Sequence, residues 1–252
     1  MFKFGINSKK FITPEKTENL VLKNLEFNVT ENDFVSIIGP SGCGKTTILR
    51  ILAGFDKDFD GSLEYSPKSD NYYENFESLG KIGYIPQEFS LFPWLNIEKN
   101  IRFGLNIKNI SKEDQDETVE RLLDLVGMNE FRKYLPHEIS GGMKQKIAIC
   151  RALAINPTSK LIVMDEPFSA LDAQTRNSLQ EDLLEIWRKQ KLTIVFVTHN
   201  IDEATFLSKR VLVLTKLPAK VLKEFNIEIP HPRDRTSLEF NKIRKDLLGY
   251  LN

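Results

Sequence analysis

The chain has 252 residues, room for one large domain or a domain carrying an insertion, and its 41% hydrophobic and 28% charged residues are ordinary for a globular protein. Lys plus Arg equals Asp plus Glu at 35 each, so a net charge of zero offers no bulk attraction to a polyanion, and no nucleic-acid partner is expected. Cys43 and Cys150 are too far apart for paired metal-ligand spacing, the start from Met1 to Asn7 lacks the apolar stretch of a secretory signal, and no run of about 18 apolar residues suits a bilayer span.

In chain order, residues 20–38 read as short strands that end in the apolar run Phe34-Val35-Ser36-Ile37-Ile38. Gly39 to Gly44 is a glycine-rich loop, and a helix follows from Thr46 to Ala53. Residues 56–80, rich in Asp, Ser, Asn and Tyr, read as loops and edge strands, and Ile82 to Ile85 is a strand leading into Pro86-Gln87. From Asn96 to about Ala154 the pattern is helical. Ser111 to Asp114 has capping-box spacing, Val119, Leu122, Leu123 and Val126 share a helical face, and Gly127 is a C-terminal stop. The apolar strand Leu161 to Met164, a helix from Gln174 to Lys189 and the strand Thr193 to Val197 complete the series. This alternation predicts an α/β fold with a mainly parallel sheet, one domain over 1–252 with a helical subdomain inserted at about 96–155. A strand and helix tail is expected over about 217–252.

Gly39-Pro40-Ser41-Gly42-Cys43-Gly44-Lys45-Thr46 matches G-x-x-x-x-G-K-[ST] between a predicted strand and helix. Glycines let successive N–H groups face phosphate oxygens, and the helix adds its positive end. Lys45 supplies a cation to the β and γ phosphates, and Thr46 a hydroxyl to Mg²⁺. Cys43 lies beside a helix N-terminus, an environment that lowers a thiol pKa where solvent reaches it. The apolar strand before Asp165-Glu166 puts two carboxylates at a sheet edge of the kind where ligands bind. Asp165 there suits Mg²⁺, and Glu166 suits a general base that polarises water for attack on the γ-phosphate.

Ile139-Ser140-Gly141-Gly142-Met143-Lys144-Gln145, followed by Arg151-Ala152-Leu153-Ala154, resembles the signature of the ABC (ATP-binding cassette) family, usually Leu-Ser-Gly-Gly-Gln. Taken alone, these residues also read as a serine N-cap with a glycine turn. Gln87 resembles the family's Q-loop glutamine, Ser169-Ala170-Leu171-Asp172 its D-loop, and His199 its switch histidine near the γ-phosphate. The resemblance implies a P-loop NTPase core with an N-terminal antiparallel β portion, and ATP and Mg²⁺ as ligands. It implies a head-to-tail homodimer in which each ATP lies between the phosphate loop of one copy and the signature helix of the other. Nucleotide contacts carried over to this chain are Gly39 to Thr46, Thr47, Ser140, Gly141, Gly142, Gln145 and Asp172; metal contacts are Thr46, Gln87 and Asp165; catalytic roles fall to Lys45, Gln87, Glu166 and His199. An aromatic residue stacking on adenine is placed at Phe11, with Phe2 and Phe4 nearby.

Phe89 to Asn96 is similar to a Leu-Pro-Trp-Leu segment of the nitrate, sulfonate and taurine importer subunits, where this region lies near the groove for a permease. Phe92 and Trp94 read equally as core residues of the helical subdomain. The stretch Ile229 to Thr236 resembles that family's Pro-Arg-rich ending, with His231 a departure, and the loop from Gly61 to Gln87 is longer than the family's. The expected function is ATP hydrolysis that drives solute uptake through an integral-membrane permease, at the cytoplasmic membrane face, with an extracytoplasmic solute-binding protein in the same system. The competing functions are a soluble ABC ATPase of DNA repair or translation, which usually shows coiled-coil insertions, zinc motifs or two cassettes, and a non-catalytic scaffold, which Lys45, Asp165, Glu166 and His199 argue against.

Overall fold

A computed structural model of the chain describes residues 2–65, 74–75, 82–155 and 161–251. In chain order its elements are β1 (Phe2–Ile12), β2 (Glu18–Val29), β3 (Phe34–Ile38), α1 (Lys45–Leu52), β4 (Asp60–Tyr65), β5 (Glu74–Asn75), β6 (Gly83–Ile85), α2 (Ile97–Ile107) and α3 (Lys112–Val126). Then follow α4 (Gly141–Ile155), β7 (Leu161–Asp165), α5 (Ala173–Gln190), β8 (Thr193–Val197), α6 (Ile201–Leu207), β9 (Arg210–Leu214), β10 (Val221–Asn226) and α7 (Leu238–Leu251). These form two units, Met1–Gly80 with Thr193–Asn252, and Lys81–Leu192.

In the first unit every residue of β3 is buried, as a parallel strand covered on both faces requires. β3 pairs in parallel with β8 on one side and β9 on the other, and β10 returns antiparallel to β9. A separate antiparallel sheet places β1 between β2 and β4, with β5 beyond β4. The α/β class and the antiparallel portion are as expected, but β2 is longer than the short strands anticipated within 20–38, at 12 residues, and the 11-residue β1 was not delimited from the sequence. Alternation explains their length: Phe2, Phe4 and Ile6 are buried on one face of β1, between exposed or half-buried neighbours.

The C-terminal tail is part of this unit's core. Leu247 of α7 packs in one cluster with Ile38, Ile201, Ala204, Val211, Val213 and Ile227. Arg233 is buried and donates to the carbonyls of Thr205 and Ser208 at 2.6 and 2.7 Å, acceptors that the end of α6 leaves open, and to that of Ile229 at 2.8 Å. Burial lowers the Arg233 guanidinium pKa to about 10, so it remains charged near neutrality.

In the second unit β6 and β7 pair in parallel, and α2, α3 and α4 occupy the stretch expected to be helical. The Ser111 hydroxyl accepts from Asp114 N–H at 3.2 Å to cap α3, and Gly127 ends it at φ 65. Gly104 permits close helix packing, since a Cβ there would lie 2.2 Å from Ile155 Cγ1. The expected edge strands within 56–80 are β4 and β5; residues 66–73 and 76–81, within that stretch and the long 61–87 loop, lie outside the described residues. Among the described residues no helix is long and apolar enough to cross a membrane.

Candidate active site

In the first unit, β3 delivers the chain to Gly39 and the loop runs to Gly44, which caps α1 with φ 104. No side chain caps α1 and its first turn holds no acid, so its leading N–H groups keep their positive field. Lys45 folds back over the loop, its ammonium donating to the carbonyls of Gly39 and Pro40 at 2.9 and 3.0 Å with the residue only 7% exposed. Thr46 and Ser41 are exposed, and Thr47 is half-buried. Together the bare helix end, the positive-φ glycines Gly42 and Gly44 and the ammonium suit a multiply charged phosphate. Gly44 is tightly placed, with φ 104 and an added Cβ 2.8 Å from Val21 Cγ1, and a Cβ on Gly39 would lie 3.0 Å from Cys43 Sγ and Leu214 Cβ.

Cys43 corrects the expectation of a reactive thiol. It is 1% exposed, and burial raises its pKa while the Lys45 charge works to lower it. The helix end acts on a sulfur that water does not reach.

His199 lies in the same unit and is exposed between β8 and α6. Its neighbours fix the backbone there. Thr198 is buried and donates to Glu203 Oε2 at 2.6 Å while accepting from Asn200 N–H at 3.0 Å, and Asn200 caps α6 through Asp202 N–H at 2.9 Å. Thr198 N–H also donates to the Ile37 carbonyl at 3.2 Å, tying the histidine turn to the strand that precedes the phosphate loop. The Thr198–Glu203 clamp was not read from the sequence, and its signal, a Thr and a Glu flanking a histidine at a strand end, is generic.

Of the three aromatic residues considered for adenine, Phe2 and Phe4 are buried at 5% and 2%, whereas Phe11 is 45% exposed. The Lys9 ammonium lies 4.7 Å from the Phe11 ring centroid and is anchored by Asp56 at 2.9 Å. Phe11 alone of the three offers a ring face to a ligand.

In the second unit all five residues of β7 are buried and Asp165 ends it at 5% exposure, within 3.4 Å of the Tyr84 hydroxyl. Glu166 takes φ 43, a left-handed conformation rare for a side-chain-bearing residue and found often at functional sites. This turn breaks strand alternation directly after Asp165. Ser169 holds it, donating to the Glu166 carbonyl through N–H at 3.1 Å and Oγ at 3.0 Å, and Gln87 Nε2 donates to Ser169 Oγ at 3.5 Å. The Gln87 and Ser169 loops are therefore neighbours.

Ser140 is exposed at the start of α4 and its hydroxyl accepts from Met143 N–H at 3.3 Å. Gly141 and Gly142 are also closely packed, since added Cβ atoms would lie 2.9 Å from Leu171 Cδ2 and 2.7 Å from Thr175 Cγ2. Gln145 is placed apart from this group: it is 1% exposed and neither amide atom has a hydrogen-bond partner among the described residues. Five residues along a helix turn it well away from the Ser140 face. Asp172 serves as the N-cap of α5, accepting from Thr175 and Gln174 N–H groups at 3.0 and 3.1 Å; its carboxyl pKa is lowered first by the Thr175 side chain and then by these N–H bonds.

Phe92 and Trp94 also separate. Trp94 is 73% exposed, which removes the core reading for this residue, while Phe92 is half-buried with its ring centroid 4.3 Å from that of Phe103. Buried Asn100 holds their loop, accepting from Phe92 N–H at 2.8 Å and donating to the carbonyls of Leu95 and Asn96 at 2.8 and 3.1 Å.

A protein-family model described as ABC transporter matches residues 22–169. The chain is 42% identical over 246 residues to the aliphatic sulfonates import ATP-binding protein of Bacillus subtilis, covering 97% of this chain and 92% of that one. It is 36% identical over 233 residues to the nitrate import ATP-binding protein of Synechocystis, covering 90% and 83%. A solved dimeric ATP-binding cassette in a post-hydrolysis state with ADP and phosphate superposes with a TM-score of 0.74 at 31% identity, covering 91% of this chain and all of that one. Phosphate loop, acidic strand end and signature turn thus fall on a fold and a sequence shared with ATP-driven cassettes, and the chain belongs to the ABC transporter family as an ATP-binding, ATP-hydrolysing subunit.

Proposed function

We propose that this subunit hydrolyses ATP to drive import of a small solute of the nitrate, sulfonate or taurine class through an integral-membrane permease. It works at the cytoplasmic membrane face as a pair of copies, with a solute-binding protein supplying the cargo. The observation that carries the ATPase part is the Lys45 ammonium held on the Gly39 and Pro40 carbonyls beside a helix end without side-chain cap or acid. Lys45, Thr47 and the amides of Gly39 to Thr46 bind the phosphates, with Phe11 under the base.

Thr46, Asp165 and Gln87 supply hydroxyl, carboxylate and amide oxygens, a hard donor set that fits Mg²⁺, which would offset phosphate charge when bound. Glu166 takes a proton from the attacking water as its oxygen bonds to the γ-phosphorus, and the bond from that phosphorus to the bridging oxygen breaks, its electron pair leaving on ADP. His199 hydrogen-bonds the γ-phosphate, and Ser140, Gly141 and Gly142 of the second copy close over it. Gln145 and Asp172 act behind this surface, as interior and cap. Residues 96–155 form the helical part that meets the permease within a single cassette domain, and Trp94 on its Asn100-held loop is the contact that supports an importer.

Lys45→Ala should abolish phosphate release at saturating Mg-ATP; near-normal turnover would remove the phosphate-loop role. Detergent extraction tests the transport part. The chain should co-purify with an integral-membrane protein, and a chain that elutes free of any such protein counts against the importer reading while leaving the ATPase intact.

A further inference from the structure

Lys23 of β2 and Lys216 and Lys220 of the β9–β10 turn line one cavity of about 510 Å³, together with Asn24, Thr215 and Pro218. All lie in the unit that holds the phosphate loop. Backbone bonds fix the two segments side by side: Lys23 N–H donates to the Ala219 carbonyl at 3.0 Å, and Ala219 N–H to the Val21 carbonyl at 2.8 Å. Thr215 closes the turn, its Oγ1 accepting from Lys220 N–H at 3.1 Å and its N–H donating to the Lys220 carbonyl at 3.0 Å. Asn24 adopts φ 48, bending the strand at the cavity wall.

In the same unit Lys9 is paired with Asp56, Lys10 with Glu18, Arg210 with Asp33 and Arg244 with Asp202. Among the described residues, no acid pairs with the ammonium groups of Lys23, Lys216 and Lys220. Three like charges around one concavity repel each other, and an anion between them reverses that sign. The volume suits a small solute, within the roughly 300–1,000 Å³ of ligand pockets. Lys45 does not line it.

We propose that this cavity binds a small, multiply charged, phosphate-bearing solute at a place separate from the Lys45 loop. Its walls continue directly from residues packed on that loop, since Val21 meets the Cβ direction of Gly44 and Leu214 that of Gly39. Binding needs none of the catalytic roles proposed above.

Calorimetric titration of inorganic pyrophosphate into the whole chain, in Mg²⁺-free buffer with ADP already saturating the phosphate loop, reads this cavity. Binding is expected at one site. Lys216→Gln with Lys220→Gln should weaken it roughly tenfold or more while ADP affinity is unchanged. Lys23→Gln, from the other wall, provides the same test if the double variant folds poorly. No binding above the ADP background, or binding that ignores all three substitutions, overturns the proposal. Sedimentation with phosphatidylglycerol vesicles separates a lipid headgroup from a free solute: binding to vesicles without any response to pyrophosphate also overturns it.

Discussion

At position 43 two influences on a thiol oppose each other, and magnitude decides between them. The Lys45 charge and nearby N–H groups favour thiolate, but burial of the sulfur against Gly39 is the larger effect, and the pKa rises. Cys150 is pushed up further, to about 12, by burial alone as the leading cause. A raised thiol pKa means less thiolate at a given pH, so native reactivity should be low for both. Iodoacetamide at pH 8, followed by mass spectrometry, should label neither cysteine in the folded chain and both in denaturant; rapid native labelling of Cys43 would contradict this packing. The same contrast marks what the sequence reveals at this scale. Spacing identified Lys45, Asp165 and His199 as side chains at loop and strand ends. Burial could not be read, because it depends on partners such as Phe27, which packs on Phe4 from a strand 23 residues on.

Elements with local punctuation were legible, and those defined by remote partners were less so. Ser111 and Gly127 marked the ends of α3, and the apolar run from Thr193 to Val197 coincides with β8. β1 was not delimited from sequence, since its long register depends on β2 and β4 on either side. The Ile229 to Thr236 stretch looked like a family ending, but its physical reason is Arg233 binding the carbonyls that close α6, with His231 beside the Phe206 carbonyl at 3.1 Å. The aromatic loop before α2 gives a paired prediction. Trp94→Ala removes a largely exposed side chain and should change stability by no more than about 0.5 kcal/mol. Asn100→Ala deletes a fully buried side chain bonded to Phe92, Leu95 and Asn96, and should cost about 2–4 kcal/mol by stranding those groups. Urea unfolding of the two variants checks both. If the loop meets a permease, each should weaken co-purification, Trp94→Ala without loss of fold. Unfolding of the Trp94 variant would instead make the aromatic cluster a structural one.

For the whole molecule the decisive change is Glu166→Gln, which separates holding ATP from consuming it. The side chain keeps its shape, and the left-handed turn at φ 43 is held through the Glu166 backbone carbonyl by Ser169, a contact the amide leaves intact. Lys45 and the uncapped start of α1 are likewise unchanged, so Mg-ATP should bind with its usual affinity. What is lost is the carboxylate proposed to take the proton from water, and with it hydrolysis should fall by ~10²-fold or more. If, as proposed, the start of α4 with its exposed Ser140 faces the γ-phosphate held by the other copy, ATP has a reason to join two copies and hydrolysis a reason to release them. With turnover blocked, the closed pair should accumulate. Size-exclusion chromatography with and without Mg-ATP, beside a phosphate-release assay, reads both halves. Retained hydrolysis would take the general-base role from Glu166. Lost hydrolysis with a monomeric ATP-bound chain would leave that role standing and overturn the shared site between copies, for then the signature turn of one subunit does not complete the nucleotide site of the other.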